Sequence, residues 1–184
     1  NDEVCEVISA RIARYTAGDP LDDATRCGPM ASARQQTSVS EYIQSGLDEG
    51  ATLIAGGLGM PDGLDSGFYV KPTVFADVTP DMAIWQEEIF GPVLVIATYE
   101  SEEEALALAN DSIYGLSGGV WSADADRAMA FARGMQTGQV SINGGPFNIS
   151  APFGGYKMSG NGRELGLHGL EEFLEIKSIQ RPVE

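Results

Sequence analysis

Histidine and cysteine are nearly missing from this sequence, which has one His and two Cys in 184 residues. Metal centres of the zinc type draw on Cys and His beside carboxylates, so His168 alone leaves such a site short of ligands, and no metal is expected. A Ser-His-Asp hydrolase would have to use the same His168, and no G-x-S-x-G turn accompanies it. Cys5 and Cys27 are too few for a disulfide scaffold, which points to a reducing, cytoplasmic setting. Basic residues are scarce too: 11 Lys and Arg stand against 27 Asp and Glu, a formal net charge of -16. A chain so acidic repels phosphate backbones, which sets nucleic acid aside as a partner. No apolar run approaches the roughly 18 residues of a spanning helix, and no basic-then-apolar leader opens the chain, so no membrane partner is expected. Neither G-x-x-x-x-G-K-[ST] nor G-x-G-x-x-G occurs, so no phosphate cradle of either kind is present.

What is present is a globular composition, 43% hydrophobic, enough for one compact domain with a core. The acidic residues gather at Asp19, Asp22 and Asp23 and from Glu100 to Glu104, where they read as solvated surface. Helical periodicity runs from Glu3 to Thr16 and stops at Gly18-Asp19-Pro20. A second helix begins near Ser32, carries Val39, Tyr42, Ile43 and Leu47 on one face, and ends around Gly50. Ala51 to Ala55 reads as a short strand. Tyr69 to Phe75 reads as another, pushed toward an edge or a bulge by Pro72. Gly91-Pro92 introduces a buried strand, Val93 to Thr98. Ser101 and Glu104 form a capping box for a helix over Glu102 to Ala109. Leu116 to Trp121 is strand, Ala123 to Met135 helix, and Val140 to Ile142 strand. This alternation predicts an α/β fold, a largely parallel sheet with flanking helices. From Asn143 to Gly169 the chain is glycine-rich and irregular, and Glu171 to Gln180 alternates like an exposed strand. No linker marks a boundary between two domains.

Each cysteine is also weighed as a nucleophile. Cys5 lies on the turn beside the apolar face of the first helix, formed by Val4, Ile8, Ile12 and Tyr15, where a packed thiol is expected. Cys27 precedes Gly28-Pro29 with Arg26 beside it. That charge would favour a thiolate, but no base is in view.

Three segments carry more information. They are Gln86-Glu87-Glu88-Ile89-Phe90-Gly91-Pro92-Val93, then Ser141-Ile142-Asn143, then Ala151-Pro152-Phe153-Gly154-Gly155-Tyr156-Lys157-Met158-Ser159-Gly160, which continues as Asn161-Gly162-Arg163-Glu164. In this order they resemble the C-terminal signature of the NAD(P)-dependent aldehyde dehydrogenase superfamily. Gly18-Asp19-Pro20-Leu21-Asp22 and Gly56-Gly57 extend the resemblance over almost the whole chain. It implies a catalytic-domain portion over residues 1–169 and an oligomerisation tail over 170–184, whose strand reaches a partner subunit.

The resemblance also implies roles. Glu88 would hold the nicotinamide ribose of NAD or NADP, Phe90 would pack by the nicotinamide, and Gln35 would reach the same ribose. Phe153 would line the substrate tunnel, and the loop Gly144 to Ser150, with Phe147, would shape its mouth. Read from the residues alone, Glu87 and Glu88 are equally a surface carboxylate pair, Phe90 and Phe153 packed aromatics, and Gln35 an exposed helical amide. One carboxylate can accept from two vicinal hydroxyls, so the ribose role is chemically sound. Asn143 would fix the loop's start, and Lys157, Arg163 and Glu164 read as internal tethers.

Such enzymes oxidise aldehydes through a cysteine thiolate that forms a thiohemiacetal and then a thioester, which glutamate-activated water hydrolyses. In the family the nucleophile lies just before the segment that Asn1 to Val7 resembles, and the general base and coenzyme domain lie further upstream. No catalytic residue is therefore expected in this chain, which would be an inactive portion of such an enzyme, partnered by its upstream coenzyme domain. The alternative is a stand-alone, non-catalytic interaction module of the same fold.

Overall fold

The computed structural model describes residues 2–182, and these gather into two compact units, one up to Tyr99 and one from Glu100. The break falls in the turn before the Ser101 cap, where composition does not shift, which is why no linker shows in the sequence. No helix of the described residues is long and apolar enough to cross a membrane.

The first unit is built on helix α2, Ala33–Asp48, capped by Ser32, whose hydroxyl accepts from the Gln35 amide at 3.2 Å. Val39, Ile43 and Gly46, spaced by four and three residues, put one face of α2 into the core. Opposite lie strands β1, Thr52–Ala55, β2, Thr73–Ala76, and β3, Val93–Val95, ordered β1-β2-β3 with β1/β2 antiparallel and β2/β3 parallel. All four residues of β2 are buried, and Phe75 is the largest fully buried side chain. Of the edge or bulge that Pro72 suggested, β2 is not an edge, while its ladder with β1 carries a register shift between Leu53 and Ala55. The strand starts one residue later, so the ring precedes the ladder and the Thr73 amide donates to Pro92 O at 2.8 Å. A short helix α3, Ala83–Gln86, follows β2, and Glu49 at the end of α2 caps it by accepting from the Ala83 amide at 2.9 Å.

Two expectations change here. Helix α1, Asp2–Ile12, ends earlier than Thr16 and buries none of its residues; Val4 and Tyr15 are exposed. Strand β3 is not buried: it has one neighbour, and Leu94 is 49% exposed. The lack of burial has one cause in both. Ile8, Ile12 and Tyr15 face Val93 and Leu94 across an open groove of about 360 Å³ instead of closing on them.

In the second unit, α4, Glu102–Asn110, carries the expected Ser101 cap, with the hydroxyl accepting from Glu104 N at 3.1 Å. Glu104 reaches back one residue further than in a capping box, accepting from Glu100 N at 2.7 Å. Strand β4, Ser117–Val120, helix α5, Ala125–Gly134, and strand β5, Gln139–Ile142, form a parallel strand-helix-strand unit. Asp124 caps α5 by accepting from the Asp126 and Arg127 amides. The α/β reading with parallel pairing and flanking helices holds, with the strands in two sheets rather than one. After a 3-10 turn at Lys157–Ser159 comes α6, Gly166–Glu171.

The stretch read as a strand, Glu171 to Gln180, joins no ladder among the described residues; two turn bonds follow α6, and Ile176 is 99% exposed. An alternating segment becomes a strand when another strand supplies its hydrogen bonds, and the chain offers none there. The last two residues of the tail read as 170–184 lie outside the described residues.

Candidate functional site

Glu88 and Phe90 lie on the turn from α3 into β3. Phe90 adopts a left-handed backbone, φ 55°, which is uncommon for a bulky residue and turns its ring outward, 74% exposed. Gly91 must be glycine, since a Cβ there would stand 2.5 Å from a methyl of Val39. The neighbouring carboxylates differ. Both are exposed, but Glu87 accepts from the Tyr42 hydroxyl at 2.6 Å, whereas Glu88 accepts no hydrogen bond among the described residues.

Gln35 belongs to the same place. It is not an exposed helical amide: half-buried on α2, its Nε2 donates to Phe90 O at 3.0 Å and Ile89 O at 3.3 Å. Its Oε1 accepts nothing among the described residues. The structure thus brings Gln35 against the Glu88–Phe90 turn, and it adds Tyr42 and Val39, which the sequence presented as core-face residues. Their spacing held the signal: 35, 39 and 42 share one helical face.

Phe153 and Phe147 meet in the second unit, edge to face, with centroids 5.6 Å apart and planes at 80°. Phe153 is half-buried and joined to Glu164 by a two-bond antiparallel bridge, while Phe147 is exposed. Beside Phe153 is a hollow of about 340 Å³ lined by Leu116, Arg163, Glu172 and Phe173 among others. Asn143, at φ 51°, fixes the start of the 144–150 loop: its amide donates to Ser122 O and its carbonyl accepts from Ser122 N, both at 2.9 Å. Lys157 Nζ donates to Asn110 O and Ser112 O at 2.7 and 2.8 Å, and Arg163 to Gly155 O and Gly162 O. Glu164 contributes through its backbone bridge to Phe153.

The remaining reactive side chains have local roles. Burial pushes the Cys27 thiol above its ordinary pKa, and Arg26 donates instead to the carbonyls of Asp23 and Thr25. Asp19 and Asp22 cap their own turns, accepting from the Leu21 and Ala24 amides at 2.9 Å. His168 Nδ1 sits 3.3 Å from Glu171 on the surface of α6. Among the described residues, no three His, Cys, Asp or Glu stand together as metal ligands.

Comparison with known proteins bears on these placements. The model of the Aldehyde dehydrogenase family matches residues 1–179. The chain is similar to a 3-succinoylsemialdehyde-pyridine dehydrogenase of a Pseudomonas species, 51% identical over 97% of this chain and 37% of the relative. It is 49% identical to the geranial dehydrogenase of Castellaniella defragrans, over the same shares of each. Among solved structures, an aldehyde dehydrogenase of Mycobacterium tuberculosis complexed with NAD+ superposes with a TM-score of 0.94 at 48% identity, covering 98% of this chain and 37% of that one. Aldehyde dehydrogenase C of Pseudomonas syringae, a mutant complexed with NAD+ and octanal, gives 0.92 at 45% identity, with 95% and 36% covered. The chain thus spans little more than a third of the length of these relatives.

Proposed function

The chain belongs to the aldehyde dehydrogenase family, and on that premise we propose that it is the C-terminal portion of an enzyme that oxidises an aldehyde to a carboxylic acid with NAD or NADP. In this reading residues 1–169 complete the catalytic domain and 170–184 form an oligomerisation tail. The cysteine that forms the thioester and the glutamate that activates water belong to the part of the protein before this chain, as does the coenzyme domain. The raised Cys27 thiol supports placing the nucleophile elsewhere, because the thiolate is the reactive form.

One observation carries the proposal: the exposed Glu88, without a partner among the described residues, beside the outturned ring of Phe90, inside the segment the family model matches. These residues fit a nicotinamide riboside. Glu88 offers two oxygens to the vicinal ribose hydroxyls, Phe90 a flat apolar face, and Gln35 an amide oxygen that accepts nothing among the described residues. When bound, the coenzyme supplies the acceptor for the electrons the aldehyde loses. The chain's own part is to hold that ring and sugar in one orientation, which converts a loose encounter into a positioned one.

Phe153 and Phe147 are assigned to the aldehyde. The 144–150 loop with Phe147 is assigned to the mouth of the aldehyde pocket, where Phe147 meets Phe153 edge to face. The tail is assigned to a partner subunit, with which Glu171 to Gln180 would form the strand it does not form alone; nearly fully exposed Ile176 and Ile179 support this. Cys5 and Cys27 are not joined in a disulfide, which suits a cytoplasmic enzyme.

The test is an aldehyde panel with NAD and with NADP, on this chain and on the complete gene product. This chain is expected to show no turnover above buffer, and the complete product to be active. Turnover by the chain alone would overturn the assignment of the nucleophile. In the complete product, Glu88→Gln is expected to lower kcat/KM about tenfold or more, the scale of a charge-assisted hydrogen bond. Unchanged kinetics would remove Glu88 from the site.

A further inference from the structure

We propose that one stripe of α2, formed by Gln35, Val39 and Tyr42, is a seat that positions the coenzyme-facing turn, with Tyr42 and Gln35 as its positioning residues. The proposal rests on the reading of Glu88 and Phe90 given above and adds how they are held. The three residues are four and three positions apart, so they stand one above another on a single helical face. Each meets a different residue of the turn. Tyr42 donates to Glu87 at 2.6 Å, Gln35 donates to the carbonyls of Ile89 and Phe90, and Val39 lies where a side chain at residue 91 would be. Glu88 is the residue left between these holds, bracketed on both sides and itself unpaired among the described residues.

The chemistry of the holds explains their division of labour. A left-handed Phe90 is an unfavourable local conformation that persists only where its surroundings over-determine it. Two hydrogen bonds from one amide to consecutive carbonyls do that, because they fix the peptide plane on the N-terminal side of Phe90 and the carbonyl that follows it. The Tyr42 bond to a carboxylate is of the stronger, charge-assisted kind. It also distinguishes two adjacent, equally exposed glutamates: one carboxylate is tied to α2 and the other is left open to a ligand. The fully buried Val39 joins the stripe to the core of the unit, so the turn inherits the rigidity of α2.

The experiment uses the complete gene product and reads the KM for coenzyme separately from the KM for aldehyde. Tyr42→Phe deletes one hydroxyl and keeps the ring. It is expected to raise the coenzyme KM about three- to tenfold while the aldehyde KM and the thermal midpoint stay within error. Glu87→Ala should do the same, and the double variant Tyr42→Phe with Glu87→Ala should be no worse than the poorer single one, because both remove one bond. Glu87→Gln keeps an acceptor for the hydroxyl and should recover most of the coenzyme affinity that Glu87→Ala loses. If Glu88→Gln raises the coenzyme KM but Tyr42→Phe and Glu87→Ala do not, the stripe does not position the turn and the proposal is overturned alone. It is equally overturned if both KM values and the thermal midpoint shift together, which is the mark of a packing role. If Glu88→Gln itself leaves the coenzyme KM unchanged, the coenzyme reading of the turn fails and the proposal falls with it.

Discussion

The two units of this chain solve the problem of holding an irregular functional loop in opposite ways. In the first, the loop from Glu87 to Gly91 is backed by side-chain bulk: Val39, Ile43, Phe75 and Ile84 are buried, and α2 carries the rigidity of that cluster outward. In the second, the buried positions among the described residues are Gly115, Ala128, Gly155 and Gly169. There the backbone packs on backbone, and the long run from Asn143 is kept in place by the hydrogen bonds of Asn143, Lys157 and Arg163. A cluster built of bulk is injured by removing atoms. A cluster built of close backbone approach is injured by adding them.

That contrast can be broken by substitutions in each unit. Phe75→Ala, at the largest fully buried side chain, should show the largest effect, about 3–5 kcal/mol in urea unfolding of this chain. A loss below about 1 kcal/mol would mean that the first cluster is not tightly packed. Gly138→Ala adds one methyl in the second unit, where its Cβ would collide with the carbonyl oxygen of Gly154. The expected cost is about 1–3 kcal/mol, since a main-chain atom cannot swing aside as a side chain can. A neutral Gly138→Ala would show that the backbone contact yields easily and would remove the distinction between the units.

The smallest effect concerns Cys27, in the first unit, and is one of rate. Burial disfavours the charged thiolate, so the pKa is raised and less thiolate exists at any given pH than for a free thiol. Alkylation by iodoacetamide near pH 8 should therefore be slower at Cys27 than at a free model thiol, and should accelerate at a higher pH than the model. Mass-spectrometric labelling across a pH series checks it. A faster reaction than the model thiol's would mean that Arg26 is not turned away to loop carbonyls, and would reopen Cys27 as a nucleophile.

Helices and strands whose signals are local were legible in the chain alone. Ser32 and Ser101 mark helix starts because a hydroxyl can satisfy a free amide at short range, and the apolar spacing in α2 names its buried face without reference to anything distant. The order of strands and helices from Val93 to Ile142 was enough for the α/β class. The segments from Gln86 to Val93 and from Ala151 to Glu164 were enough to mark where chemistry should be sought, and Asn143, Lys157 and Arg163 were readable as tethers because their donors suit a glycine-rich run. Other features depended on what lies opposite in space. Pro72 looked like an edge or bulge signal, and only the pairing of β2 between β1 and β3 shows that the strand is central and that the ladder begins after the ring. Val93 to Val95 looked buried, yet burial needs a second surface, and α1 stands off across an open groove. The tail looked like a strand, but a strand exists only with a partner. The difference between Glu87 and Glu88 was also invisible in sequence, since two adjacent carboxylates are chemically alike. What separates them is the Tyr42 hydroxyl, which is 45 residues from Glu87 in the chain and 2.6 Å away in the fold.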